Sequence, residues 1–297
     1  MRSVRCLVAA GAASLLSSMA FAADMPMITP PPPMYAPAPP QDFGGWYLRG
    51  DIGFSNQQVK NVRNTNDALY APLTSLNQTT GFDAAGTFQV GVGYRFNNWF
   101  RADITGQYRG NSNFKGTDLY SAMGHGLAYN GIDNYSASKS ELLVLANAYV
   151  DLGTWWCVTP FIGAGVGAAR VTISNFTDTG ATNLNSFIDG SGNTVYYVGG
   201  PANASYTAAS SGSKWNFAWA LHTGLAYQVS PNMTVELGYS YLNLGDGVTG
   251  VDTTFDHSAG GHAFTFKDIT SHDVKLGVRW NLDNPQPVYA PPLVRKG

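Results

Sequence analysis

Along most of the chain the apolar residues fall on every second position, and that period of two commits the fold to β-strands with one greasy and one polar face. Trp46, Leu48, Ile52 and Phe54 share one side with Gly50, while Tyr47, Arg49, Asp51 and Ser55 share the other. The split recurs in Phe88, Val90, Val92 and Tyr94 against Gln89, Gly91, Gly93 and Arg95, and in Phe100, Ala102, Ile104 and Tyr108 against Arg101, Asp103, Gln107 and Arg109. Leu142, Val144, Ala146, Ala148 and Val150 oppose Glu141, Asn147, Tyr149 and Asp151. Segments 214–228, 233–241 and 273–282 repeat it, the last with Val274, Leu276, Val278, Trp280 and Leu282 opposite Asp273, Lys275, Arg279 and Asn281. The segment 159–172 is read with Pro160, Ile162, Ala164, Val166 and Ala168 outward, although Arg170 falls on that side and Phe161 on the other. Eight strands of about ten residues each suit an antiparallel barrel tilted across a bilayer.

The connections alternate in length. Asn97-Asn98, a few residues around Gly153, and Ser230-Pro231-Asn232 are short; 57–86, 110–137, 175–213 and 244–268 are long and rich in Gly, Ser, Thr, Asn and Asp. Compact soluble domains seldom carry one long structureless loop, whereas outer-membrane barrels put short turns in the periplasm and long loops outside. Trp46, Trp99, Trp155, Trp156 and Trp280 gather near the short-turn end, where amphipathic rings favour the bilayer interface. The expected fold is therefore all-β: an eight-stranded antiparallel, up-and-down transmembrane barrel with four long extracellular loops and short periplasmic turns. An even strand count puts both termini in the periplasm of a protein resident in the outer membrane.

A soluble lipocalin-type barrel also alternates, but turns its apolar side inward around a ligand. Here the apolar side carries rows such as Trp215, Phe217 and Trp219, too bulky for a narrow interior, and the polar side carries the charges. Composition agrees: 12% of the 297 residues are charged, against roughly 25% in soluble proteins, with 13% aromatics and 34 glycines. A disordered chain would have few aromatics, and a pI of about 6.2 offers no basic excess for nucleic acid.

At the N-terminus Arg2 and Arg5 precede an apolar stretch and Ala20-Phe21-Ala22, the pattern of a cleaved signal peptide spanning 1–22. Its removal takes Cys6 and leaves Cys157 without an intrachain partner. Residues 23–42 form a proline-rich periplasmic linker, 43–282 the barrel, and 283–297 a proline-rich periplasmic tail that echoes Tyr-Ala-Pro.

The opening Gly44-Gly45-Trp46-Tyr47-Leu48-Arg49-Gly50, the strand from Gln89 to Phe96, the strand from Pro160 to Gly167 and the closing strand together resemble the small eight-stranded outer-membrane barrels. Within these, the chain is similar to the alphaproteobacterial surface antigens often called porins. Lys275, Gly277, Trp280 and Leu282 match the last-strand pattern that, by this resemblance, the barrel-assembly machinery reads. The resemblance implies a surface antigen that supports envelope integrity and meets extracellular ligands through its loops. Its other partners would be outer-membrane lipid and lipopolysaccharide, and cell wall through the proline-rich tails; nucleic acid is not expected.

The polar faces bring Arg49, Arg95, Arg101, Arg109, Lys275 and Arg279 together with Asp51, Asp103, Glu141, Asp151, Glu236 and Asp273 inside a barrel just wide enough for side chains to fill it. Buried charges must pair, so the expectation is a charge-paired interior with at most a narrow pore; a small-solute porin is the sharper alternative. No Ser/His/Asp set can be assembled from strand positions, so no enzyme and no resident cofactor is expected. His257, His262 and His272 fall in or near the fourth long connection and are the candidates for haem or metal; a haem- or ligand-binding outer-membrane receptor or adhesin is the second alternative, as the resemblance to surface antigens that include haem binders implies.

Overall fold

The computed structural model describes residues 45–255 and 260–282. The expected leader, linker and tail, and His257, lie outside the described residues. The strands are β1 (Gly45–Gln58), β2 (Asn61–Asn64), β3 (Leu73–Phe82), β4 (Ala85–Arg95), β5 (Phe100–Gly124), β6 (Leu127–Asp151), β7 (Val158–Ile188), β8 (Thr194–Ala209), β9 (Gly212–Gln228), β10 (Met233–Val248), β11 (Asp252–Thr254) and β12 (Phe264–Asn281).

Successive antiparallel ladders join β1 to β4, β4 to β5, β5 to β6, β6 to β7, β7 to β9, β9 to β10, and β10 to β12. The ring closes where β12 returns to β1, from Tyr47 opposite Asn281 to Gln58 opposite Thr270. Eight strands thus form a barrel with no open edge, as the lipid phase demands, because unpaired backbone groups find no water there.

The exposure pattern is the reverse of a soluble protein's. Ile52, Phe54, Phe88 and Val90 are 59%, 73%, 60% and 70% exposed on the outer wall, while Asp51, Arg101, Arg109 and Glu141 are buried. That inversion excludes the lipocalin arrangement and matches a lipid-facing band. Along β7, Ile162 and Val166 face out and Phe161 faces in, so the outward-apolar reading of this strand holds, with Arg170 exposed on the same side.

The short turns are held by their own side chains. Asn97 Oδ1 accepts from the backbone of Trp99 and Phe100, at 2.9 and 2.7 Å, and Ser230 Oγ accepts from Met233 N–H at 3.1 Å.

The long connections are largely strand, where an irregular course was expected. β5 and β6 continue past the barrel to a tight turn at His125 and Gly126, both with positive φ, the signature of a two-residue hairpin. β7 runs on to Ile188 and pairs with β8; β3 lies on β5, β2 on β12, and β11 on β8. Above the lipid neither face of a strand has to be apolar, so the period of two fades there while the backbone ladder continues.

Candidate functional site

The inward face of β6 crosses the lumen like a bore-hole core. From the short-turn end it presents Asp151, Tyr149 and Asn147, then Leu145 and Leu143, then Glu141 and Lys139, then Ala137 and Tyr135, then Asp133. Each stratum is completed by the other strands.

The lower stratum centres on Glu236. Arg279 Nη1 lies 2.9 Å from its Oε1, Arg101 Nη2 3.4 Å from the same oxygen, and Arg49 Nη2 3.4 Å from its Oε2. Arg49 also reaches Asp51 at 2.8 Å and Asp103 at 3.0 Å, and donates to Tyr149 Oη at 3.0 Å. Arg101 pairs with Asp151 at 3.2 Å and lies over the Tyr149 and Phe161 rings, 4.2 and 4.9 Å from their centroids. Four carboxylates, Glu236, Asp51, Asp103 and Asp151, surround the three guanidiniums and compensate charges that could not be buried singly.

The upper stratum centres on Arg109, whose Nε lies 3.1 Å from Glu141 and whose Nη2 lies 2.6 Å from Asp273. Lys139 Nζ meets Glu141 at 2.6 Å, and Lys275 Nζ meets Asp273 at 3.7 Å and donates to Gln89 Oε1 at 3.1 Å. Lys139 also stands 4.3 Å from the Phe82 ring centroid, which ties the ionic layer to the one above it.

That higher layer is aromatic. Phe114 meets Phe266 edge-on at 4.9 Å, Phe176 meets Phe264 at 4.3 Å, and Phe82 leans on Phe114 at 5.1 Å. With Val171, Ile173, Leu242, Leu244 and Ile269 they fill the bore with apolar side chains. Above the cap lie three acids. Asp118 stands opposite Asp133 across β5 and β6, and Tyr135 opposite Asp178 across β6 and β7. Asp118 Oδ2 accepts from Gln78 and Tyr135, while its Oδ1 is buried without a hydrogen-bond partner. Burial pushes the Asp133 carboxyl up to about 6 and the Asp178 carboxyl up to about 8, and neighbouring carboxylates add to both.

Of the residues expected in the charge network, Arg49, Asp51, Arg101, Asp103, Glu141, Glu236, Lys275 and Arg279 lie in these two strata. Arg95 is the exception: it is half-buried at the short-turn rim and makes no ion pair among the described residues. Lys139, buried and paired, is absent from the sequence reading because it falls between the connection 110–137 and the first assigned strand position, Glu141; its two-residue spacing from Glu141 is the signal that marks it. The aromatic cap is likewise absent from that reading, although Phe264 and Phe266 sit two apart.

Trp280 and Leu282 project outward from β12, half exposed. Gly277 has a packing reason of its own, since a Cβ there would collide with Asp51 Oδ1. The two candidate histidines among the described residues, His262 and His272, do not converge. His272 lies on the outer wall, bonded to Tyr239 Oη at 2.6 Å, whereas His262 sits in the upper connection with its N–H on Asp252. Among the described residues no cluster of His, Cys, Asp or Glu is arranged to hold a metal. His222 joins Ser240 Oγ at 2.8 Å and Asn147 Oδ1 at 3.2 Å, a serine–histidine–asparagine set in outline. It faces a cavity of about 20 Å³ shared with Arg49 and Lys275, space for about one water.

Comparison with known proteins follows the same lines. The chain is 28% identical to an uncharacterized protein of Brucella suis, over 93% of this chain and 98% of that one. It is 27% identical to the outer membrane protein PagN of Salmonella typhimurium, over 80% of this chain and 89% of PagN, and 26% identical to a putative adhesin of Rickettsia bellii, over 80% and 88%. Among solved structures, Neisserial surface protein A aligns over 80% of this chain and 96% of its own, with 16% identity and a TM-score of 0.39. The model of the outer membrane protein beta-barrel domain matches residues 8–281, and the chain belongs to that outer-membrane family.

Proposed function

We propose that the protein is a non-catalytic surface protein of the outer membrane, in which a sealed barrel anchors a tall β-extension that meets other surfaces. The observation that carries this reading is the lumen. Two ionic strata and an aromatic cap succeed one another across the bore, and the cavity beside His222 within the ionic layers has room for about one water. A barrel of this strand number is filled rather than open, which weighs against the small-solute porin. The reading places the short turns and both termini in the periplasm and the extension outside, following the habit of such barrels. The apolar wall would meet lipid and lipopolysaccharide, and β12 the assembly machinery. The relatives named as an outer membrane protein and a putative adhesin agree with a surface role.

Planar-bilayer recording tests the sealed barrel: the native protein should show no stable conductance, and replacing Phe114, Phe176 and Phe266 together by Ala should leave only flickering leaks, because the ionic strata remain. Stable, large conductance from the native protein would overturn the reading. For the surface role, cells displaying the full chain should bind host-cell surfaces better than cells displaying a chain with 183–204 replaced by a short turn; equal binding would remove the extension from the function.

A further inference from the structure

Above Thr182 the wall of the extension thins to a two-stranded ribbon. β6 pairs with β7 as far as Gly131 opposite Thr182; beyond that, Leu184–Ile188 of β7 pair with Thr194–Val198 of β8 alone among the described strands. At the tip Asp189 N–H donates to Asn193 O at 2.9 Å. Hydrogen-bonded pairs alternate along an antiparallel ladder, so Val195 and Tyr197 direct their backbone groups at β7. Those of Thr194, Tyr196 and Val198 point the other way, where no described strand pairs with them.

Proteins usually guard such an edge with a charge, a proline or a bulge. Thr-Val-Tyr-Tyr-Val has none of these: its register with β7 is unbroken, and no Asp, Glu, Lys or Arg occurs between Asp189 and Lys214. The ribbon is also tied to the neighbouring hairpin. The His125 ring stacks on Tyr196 at 3.6 Å and 5°, and Asn130 N–H donates to Asn183 Oδ1 at 2.8 Å. On the opposite face Phe187, Val195 and Tyr197 stand exposed.

We propose that this edge is a homophilic site, at which the Thr194–Val198 strands of two copies in facing membranes pair antiparallel about Tyr196. The inference rests on the extension pointing outward, as proposed above. Its register follows from the backbone. Thr194, Tyr196 and Val198 are symmetric about Tyr196, so a twofold there sets Tyr196 against its counterpart and Thr194 against the second copy's Val198, each pair exchanging backbone hydrogen bonds. Val195 then faces the second copy's Tyr197, a β-branched residue against an aromatic, which is a favourable cross-strand pair. The absence of charge matters for identical strands, because any charge near the axis would meet its own sign. The facing membranes follow from direction. β8 runs from the tip back toward the barrel, so two copies in one membrane present edges that run the same way, and only copies in opposed membranes present antiparallel ones.

The test uses cells of a Gram-negative host without long surface polysaccharide, displaying the full chain in two colours. Native cells should cluster. Cells carrying Val195→Lys with Tyr197→Lys should not, because lysine meets lysine across the axis; cells carrying Val195→Glu with Tyr197→Glu should not either. Mixing these two populations should restore clusters containing both colours. Val198→Pro, which removes an outward N–H and no bond to β7, should reduce native clustering severalfold. Heat-modifiable gel mobility of each variant reports folding, and the mixed populations decide the matter even if one proline variant misfolds. Dispersed native cells, charge variants that each cluster alone, or charge variants that fail to mix would overturn the proposal. If native cells stay dispersed yet bind host surfaces through 183–204, the surface role stands and self-pairing falls; capture of a foreign strand would show as binding that ignores the charge match.

Discussion

Arg109→Met keeps most of the volume at the centre of the upper stratum and deletes its charge. Arg109, Glu141 and Asp273 are all fully buried in side chain, with contacts of 3.1 and 2.6 Å. Removing one partner of a buried ion pair costs about 3–5 kcal/mol, because the other charge stays behind in a poor solvent. Lys139 and Lys275 still reach the two abandoned carboxylates, which holds the cost near the lower end, about 3 kcal/mol. The control is Lys267→Met. That lysine is 46% exposed in side chain and shares Asp246 with Lys214, so its loss should cost about 0–1 kcal/mol. Urea unfolding of the detergent-folded barrel, followed by tryptophan fluorescence, measures both. With a slope of about 2 kcal/mol per molar, the Arg109 variant should unfold roughly 1.5 M earlier and the control within a few tenths of the native midpoint. Adding Glu141→Gln and Asp273→Asn to Arg109→Met should recover part of the loss. A midpoint for Arg109→Met indistinguishable from the control, or a triple variant weaker than the single, would refute the view that these charges are held by one another.

The acids above the cap make the extension sensitive to pH. Asp133 and Asp178 are held at about 6 and about 8 against 3.8 for the free group, so opening releases their protons at lower pH than the closed form does. Closure is therefore fully favoured below about pH 4 and loses that contribution as pH rises through 6 and 8. Hydrogen-exchange protection across 112–139 and 174–182, expressed relative to the intrinsic rate at each pH, should be greater at pH 5 than at pH 9, and Asp133→Asn with Asp178→Asn should flatten the difference; native protection factors without pH dependence would count against the buried carboxyls. At the other end, changing Trp280 and Leu282 together to Ser should abolish the heat-modifiable band in outer-membrane fractions, whereas deleting 283–297 should leave it. Normal insertion of the double variant would move the end of the last strand elsewhere.

The lipid-crossing part of the barrel was legible because each residue there answers to one of two solvents. Ile52 and Phe54 meet hydrocarbon while Asp51 and Ser55 meet the lumen, and the period of two records it. Above the band the outer side meets water instead of lipid and the inner side takes polar as well as apolar residues, so Thr117, Asp118 and Leu119 sit in an unbroken ladder with no alternation of polarity to betray it. The aromatic cap was hidden for a second reason: Phe82, Phe114, Phe176 and Phe266 come from four strands far apart in sequence, and only closure of the ring brings them together. The ion pairs were legible as a set of inward charges but not as partners, since no spacing indicates that Arg109 meets Asp273 across the bore.

Arg170, outward between Leu142 and Trp215, stands at the upper limit of the apolar wall. From there β7 climbs to Ile188, and at roughly 3.3 Å per residue with a tilt near 40° the crest rises on the order of 45 Å over the lipid. With the extension on the outside, as proposed above, height of that kind turns the sugar coat of the cell into a ruler. A coat shorter than the crest leaves the ribbon in the open, and a longer one buries it, so a bacterium that varies its polysaccharide length changes what this protein can touch without altering one residue of it.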